Sequence, residues 1–407
     1  MLREINNLEQ NTKLVLHTST LRIPQHVIDE ILATCKSKRI RVQLPAAYFY
    51  EFYTLRKSEL FGAKVRAFVE SLVKNGIELI KESIEDMYHS ESAYEQTSND
   101  TVYLVNDTLK LEEMIKFSAP VYRKQRIMVP TEMLHNMSSK TNTWVVRTIE
   151  EVEPLWKGCE MFPYVREETA SQKRMPKEFF VGPSYVKANK CIKETEEAKF
   201  YTIKGGSGSS SILKIYHNSL EEEDAKERLR LLKEAIPFFR NVQPINKLLY
   251  KKGDTNIVCG ILTEMVNGKT LSSFLEEGDK SLSTQNFMYE GFLRTLLELN
   301  LCGIYYTNID IKDLYVNAAN RIIFTAPDGF QIKNYSGTAP MGEYCHPTYK
   351  EGDIIYPIFQ NYAVGKLLLQ AVSVSSGRFE SYRLFSRIFE REFVPLGNYI
   401  ELLQNGE

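Results

Sequence analysis

The stretch SSSILKIYHNSLEEEDAKERLRLLKEAIPFF, residues 209–239, decides how the second half of this chain is read. ILKIY is a short apolar run with Lys214 at its centre and reads as a strand. LEEEDAKERLRLLKEAIPFF brings apolar residues back at helical spacing and reads as one long amphipathic helix. Before the strand, GGSGSSS (205–211) predicts a turn from KFYTIK into ILKIY, its glycines free to take positive φ. After the helix, INKLLYKKGDTNIVCGILTEMV (245–266) predicts a hairpin. From GKTLSSFL (268–275) onward the pattern is helical, with MYEGFLRTLLELNLCG (288–303) and NYAVGKLLLQAVS (361–373) as the main segments. The order from about residue 181 is therefore strand-rich and then helix-rich.

Four charged residues lie along that order: Lys214, Glu234, Asp310 in YTNIDIKDLYVN (306–317) and Asp328 in TAPDGFQI (325–332). The set resembles the skeleton of a protein-kinase-like domain, over roughly residues 181–407. The resemblance implies an α+β bilobal fold in which Lys214 holds nucleotide phosphates and Glu234 orients that lysine. It makes Asp310 the base and Asp328 the magnesium ligand, with ATP and Mg2+ as cofactors. TEMVNGKTL (263–271) looks like a hinge followed by Gly-x-Thr-Leu. Several positions depart from the pattern. The first-hairpin loop falls on KETEEAKFY (193–201), which has three glutamates and no glycine, a combination that repels a triphosphate; TEEA also resembles the acidic Glu-Ala loop of small atypical kinases. Tyr315 stands where the second metal ligand belongs, and Asp328-Gly329-Phe330 transposes the usual glycine and phenylalanine. A competing register puts Asn308 at the base and Asp313 at the second metal ligand, and leaves Ala326 at the first. These losses imply a pseudokinase.

The first part of the chain, residues 1–135, alternates strand-like KLVLHTSTL (13–21), GIELIKES (76–83) and TVYLVN (101–106) with amphipathic segments, the rhythm of an α/β domain with a parallel sheet. It resembles a PIN-type nuclease domain. That resemblance implies a carboxylate site for Mn2+ or Mg2+ built from Glu51 in LPAAYFYEF, Asp86 (or its neighbour Glu85) and Asp107 in TVYLVNDTLKL. His17 occupies the position of the first acid, which removes one negative charge from such a site. Between the two parts, 136–180 reads as a partly ordered connector: HNMSSKTNT is polar and REETASQKRMPKEF is a dense charge run, although Trp144 and Trp156 require something to pack against.

A length of 407 residues favours more than one domain, and the formal net charge of −1 argues against gripping nucleic acid through bulk charge. Three basic runs, KSKRIR (36–41), YRKQR (122–126) and QKRMPK (172–177), could form an RNA path only if they cluster in space; a solvated face is the commoner explanation. The six cysteines show no metal-type spacing, so no structural zinc is expected. A polar start and the lack of a long apolar run predict a protein off the membrane, in the cytoplasm or nucleus. The two resemblances together imply a non-catalytic or weakly catalytic regulatory or scaffold factor, set in RNA processing or decay, that engages a protein partner. They leave open an atypical ATP-dependent phosphotransferase and a metal-dependent ribonuclease.

Overall fold

The computed structural model describes residues 2–44, 46–77, 80–81, 100–117, 123–135, 143–156, 178–181, 184–195, 197–203, 211–251, 253–277, 282–306, 309–339, 342–350 and 353–376. It is a mixed α/β molecule with one mostly parallel sheet and separate antiparallel sheets. Among these residues no helix is long and apolar enough to cross a membrane.

The first unit opens with α1 (Leu2–Asn6) and β1 (Lys13–Leu16), followed by α2 (Gln25–Lys38), β2 (Arg41–Leu44), α3 (Ala46–Leu55), α4 (Gly62–Lys74), β3 (Ile80–Lys81) and β4 (Thr101–Leu104). It continues with α5 (Thr108–Phe117), β5 (Arg126–Pro130), β6 (Trp144–Thr148) and the single turn α6 (Ile149–Val152). Strand order is β3-β2-β1-β4-β5-β6, parallel from β3 through β5. Because the chain runs outward from β1 to β3 and then returns to β4, the order reverses between β1 and β4. In open α/β sheets that reversal leaves a crevice at the carboxyl ends of the strands. Short apolar cores such as Leu14, Val15 and Leu16 fit strands buried on both faces.

Two expectations change here. The sheet does not end at residue 135: β6 lies in the span read as connector and adds an antiparallel edge to β5, pairing Trp144 with Pro130 and Thr148 with Arg126. Trp144 is buried, which is the packing its presence demanded. KLVLHTSTL is strand only to Leu16, because Thr18–Arg22 turns into a 3-10 helix capped by the His17 ring. After β2 the chain forms two helices, α3 and α4. Between them the Ser58 hydroxyl accepts from the Leu60 and Phe61 amides and closes the turn.

The second unit begins with β7 (Glu178–Val181), also inside the presumed connector, and β8 (Ser184–Glu194), β9 (Ala198–Ile203) and β10 (Ser211–Leu220) follow. After α7 (Glu223–Ala235) come β11 (Ile245–Lys251) and β12 (Asp254–Glu264), and the six strands close into a barrel in the order β10-β12-β11-β7-β8-β9. The expected hairpin is β11–β12, turned at Gly253 with φ +83°. The glycine-rich turn at 205–210 lies outside the described residues. The rest is helical with short ribbons: β13 (Lys269–Thr270), α8 (Leu271–Glu276), α9 (Leu282–Leu301), β14 (Ile304–Tyr305), β15 (Leu314–Val316), β16 (Ile322–Phe324), β17 (Gln331–Ile332) and α10 (Pro357–Ser376).

One hydrophobic cluster runs from Leu14, Val42 and Phe52 of the first unit to Leu293, Phe324 and Leu367 of the second. A smaller one joins Leu109 and Phe117 of α5 to Tyr356 and Phe359 at the start of α10. Helix ends are shared as well. The Ile358 amide at the first turn of α10 donates to Glu113 Oε2 of α5 at 2.6 Å, a buried carboxylate on the positive end of a helix. The Tyr356 hydroxyl donates to Glu112 Oε1 at 2.7 Å. At the opposite end of α9, Arg22 of the first unit donates to the Asn300 and Leu301 carbonyls at 2.7 and 3.0 Å.

Candidate functional site

Lys214 sits mid-β10, paired with Phe200 on one side and Ile261 on the other. Its Nζ reaches Asp328 Oδ2 at 2.7 Å, and the Tyr216 hydroxyl donates to the same oxygen at 2.9 Å. Both charged groups are buried, so each compensates the other's desolvation. Burial, and then the adjacent Asp328 charge, push the Tyr216 phenol well above its ordinary value. The second carboxylate oxygen of Asp328, Oδ1, is buried without a hydrogen-bond partner among the described residues. The aspartate is presented by a 3-10 turn (Pro327–Gly329) entered through Ala326 in the left-handed region, φ 52°. Gln243 braces that turn: its Oε1 accepts from the Ala326 amide and its Nε2 donates to the Glu264 carbonyl at the end of β12.

Glu234 does not join this group, which corrects its expected role beside Lys214. On α7 the inward face carries Ala225, Leu229 and Leu232, and Glu234 falls on the opposite face, paired with Arg230 at 2.7 Å with its side chain 63% exposed. The physical reason is helical register: two residues beyond Leu232 a side chain has turned about 200° away from the core.

Asp310 lies in the loop before β15 and is committed to that loop. Its Oδ1 accepts the Lys312 amide at 2.8 Å, and its carbonyl accepts the Asp313 and Leu314 amides. Asp313, one turn on, meets Lys193 of β8 at 3.3 Å. The carboxylate that faces the barrel is therefore that of the competing register, whose other member, Asn308, lies outside the described residues. Tyr315 is in β15, paired with Thr270 and Ile323. The acidic loop is a tight turn: the Thr195 amide donates to the Ala198 carbonyl at 2.9 Å, and Glu194 pairs with Lys199 at 3.0 Å. Glu194 is thus neutralised locally. Sequence reasoning missed Tyr216, Gln243 and Lys193; the one signal for Tyr216 was its position two residues after Lys214, on the same strand face.

At the crevice of the first unit the two expected carboxylates among the described residues, Asp107 and Glu51, each have a partner. Asp107 follows β4, where its Oδ1 accepts the Lys110 amide at 3.0 Å and its Oδ2 pairs with Arg22 at 2.9 Å. Glu51, buried on α3, accepts a hydrogen bond from the Thr18 hydroxyl. Burial raises its carboxyl to about 7, against the lowering effects of Thr18 and Lys110. His17 follows β1, with Nδ1 accepting from the Ser19 amide at 3.1 Å and its ring edge-on to Tyr48. Burial, then Lys110, depress it to about 3, so it stays neutral. Asp86 lies outside the described residues. Among the described residues no group of three His, Cys, Asp or Glu side chains converges as a metal site. Two of the three expected Mn2+ or Mg2+ donors are thus engaged within the protein, Asp107 by a guanidinium and Glu51 by a hydroxyl. Arg22, which holds Asp107, also holds the end of α9, so the second unit packs against this crevice.

No model of a known protein family matches the chain, and no curated protein matches it.

Proposed function

We propose that this protein is a regulatory or scaffold factor: a pseudokinase unit joined to a PIN-like unit, neither of which turns over a substrate, with RNA processing or decay as its setting and a protein as its partner. The observation that carries this reading is the Lys214–Asp328–Tyr216 cluster. A lysine that must hold phosphates is bound to the carboxylate that must hold magnesium, and the glutamate needed to pull it away faces solvent. The RNA setting rests on resemblance of the first unit alone. The test is a thermal-shift titration of the full chain with ATP and MgCl2. No shift at millimolar nucleotide is the expected result; a magnesium-dependent rise that Lys214→Ala abolishes overturns the reading.

One observation favours a second reading, an ATP-dependent phosphotransferase. Asp328 Oδ1 is a buried carboxylate oxygen without a partner among the described residues, which a cation brought by a nucleotide would satisfy. In that reading Asp328 holds the metal and Lys214 the phosphates, and a positive titration decides for it.

A further inference from the structure

We infer that the amino-end rim of the parallel sheet is a binding face for the phosphate backbone of single-stranded RNA. Two of the three basic runs, far apart in sequence, meet at this one end of the fold. Lys36 and Arg39 terminate α2, where Arg39 takes the left-handed conformation (φ 60°) that returns the chain into β2. Arg41 is the first residue of β2 and pairs in register with Lys13, the first residue of β1. Two strands further along, Arg126 opens β5 and Lys124 precedes it. Lys36 also lies against the end of α4, its Nζ 3.6 Å from where a Cβ on Gly76 would stand.

The spacing suits a linear anion. From β2 to β5 is three inter-strand steps, about 14 Å at about 4.8 Å each. Lys36, Arg39, Arg41 and Lys124 are exposed, and Lys13 is half-buried. Lys13, Lys36, Arg39, Arg41 and Lys124 form no ion pair with any described carboxylate. Four acids lie nearby, Glu9 and Asp100 beside β1 and Glu4 and Glu151 beside Arg126; Asp100 meets Lys13 only through its backbone carbonyl. Lys13 and Arg41 side by side in register repel one another, a cost that a bound phosphate relieves. Arg126 also lines a cavity of about 230 Å³ with Glu4, Leu8, Arg147 and Glu151, which extends the rim past β5. The face is remote from the crevice at the carboxyl ends of the strands, so it does not depend on any nuclease chemistry there. Phosphate contacts carry no base information, so binding is indifferent to sequence.

The experiment is fluorescence anisotropy of a labelled 20-nucleotide oligouridylate against the full-length protein from 50 to 200 mM KCl. Binding that weakens steadily with salt is expected, and Arg39→Glu with Arg41→Glu lowers affinity at 50 mM by about tenfold and flattens the salt slope. Arg126→Glu alone does the same to a lesser degree. Lys247→Glu, on the exposed side of β11, serves as the control for bulk charge and leaves binding unchanged. Equal loss from Lys247→Glu, absence of binding at 50 mM, or a salt-independent affinity each overturns the proposal. Sedimentation with phosphatidylserine vesicles in place of RNA, if it alone depends on Arg39 and Arg41, reassigns the rim to a membrane surface. Because Arg39, Arg41 and Lys247 are exposed, their variants keep the wild-type melting temperature; Arg126 is half-buried, so its variant is compared only after circular dichroism shows that it is folded. The ATP titration reads the other unit, so the two results succeed or fail separately.

Discussion

Asp328 shows how much can depend on one buried carboxylate. Lys214→Ala removes its ion-pair partner and leaves a buried charge with a single phenol donor, a change expected to cost about 3–5 kcal/mol in urea denaturation. Glu234→Ala, on an exposed helix face, leaves the denaturation midpoint where it is. If the two variants lose stability equally, the assignment of Lys214 to Asp328 is wrong. Glu51 makes a sharper case, because its carboxyl titrates at about 7 in the folded chain against 4.5 ordinarily. A raised carboxyl binds its proton more tightly when folded, so its contribution is full below pH 4.5 and is lost as pH climbs through 7, by roughly 3 kcal/mol. His17 has the opposite sign: depressed from 6.5 to about 3, it favours the folded state increasingly as pH rises between those values. The two titrations overlap and offset one another between pH 4.5 and 6.5. Glu51→Gln removes one of them, so its denaturation midpoint climbs with pH across that window while the wild type stays flatter; parallel profiles would refute the Glu51 assignment. Lys214 could be picked out of the sequence because an isolated lysine in an apolar strand is conspicuous. The partner it selects could not, since that choice depends on which face of α7 turns inward.

For whole elements, the alternation of strands and helices in the first part was legible because parallel strands buried on both faces leave short continuous apolar runs such as KLVL. β6 and β7 were not, because a polar segment beside each looked like linker, and pairing across space supplied what periodicity did not. The same holds for helix ends. Nothing near Pro357 announces that the carboxylate at the start of α10 comes from residue 113. Glu113→Ala is expected to cost about 1–3 kcal/mol, since a buried amide at a helix start loses its charged acceptor. Amide hydrogen exchange should accelerate selectively at Ile358, Phe359 and Gln360; uniform acceleration across α10 would point to general unfolding instead.

Taken whole, the molecule is two units by topology and one by packing, because a single hydrophobic cluster crosses between them and helix caps are exchanged. The expectation is one cooperative calorimetric transition, with calorimetric and van't Hoff enthalpies equal. Two resolved transitions would show that the shared core contributes little. The two basic runs of the rim were legible in the sequence but their meeting was not, because it is strand order that brings residues 36–41 and 124–126 to one end of the sheet.

The bond from Ile358 to Glu113 joins residues 245 positions apart. On a ribosome adding about 5–20 residues per second, the acceptor emerges roughly 12–50 s before its donor. Throughout that interval the face of α5 that will meet α10, with Leu109 and Phe117, lacks α10 as its cover, and Glu113 has only Lys110 of its own helix as a partner. Synonymous codons that slow elongation between residues 117 and 358 therefore lengthen the exposure of that face on the nascent chain without altering one atom of the finished protein.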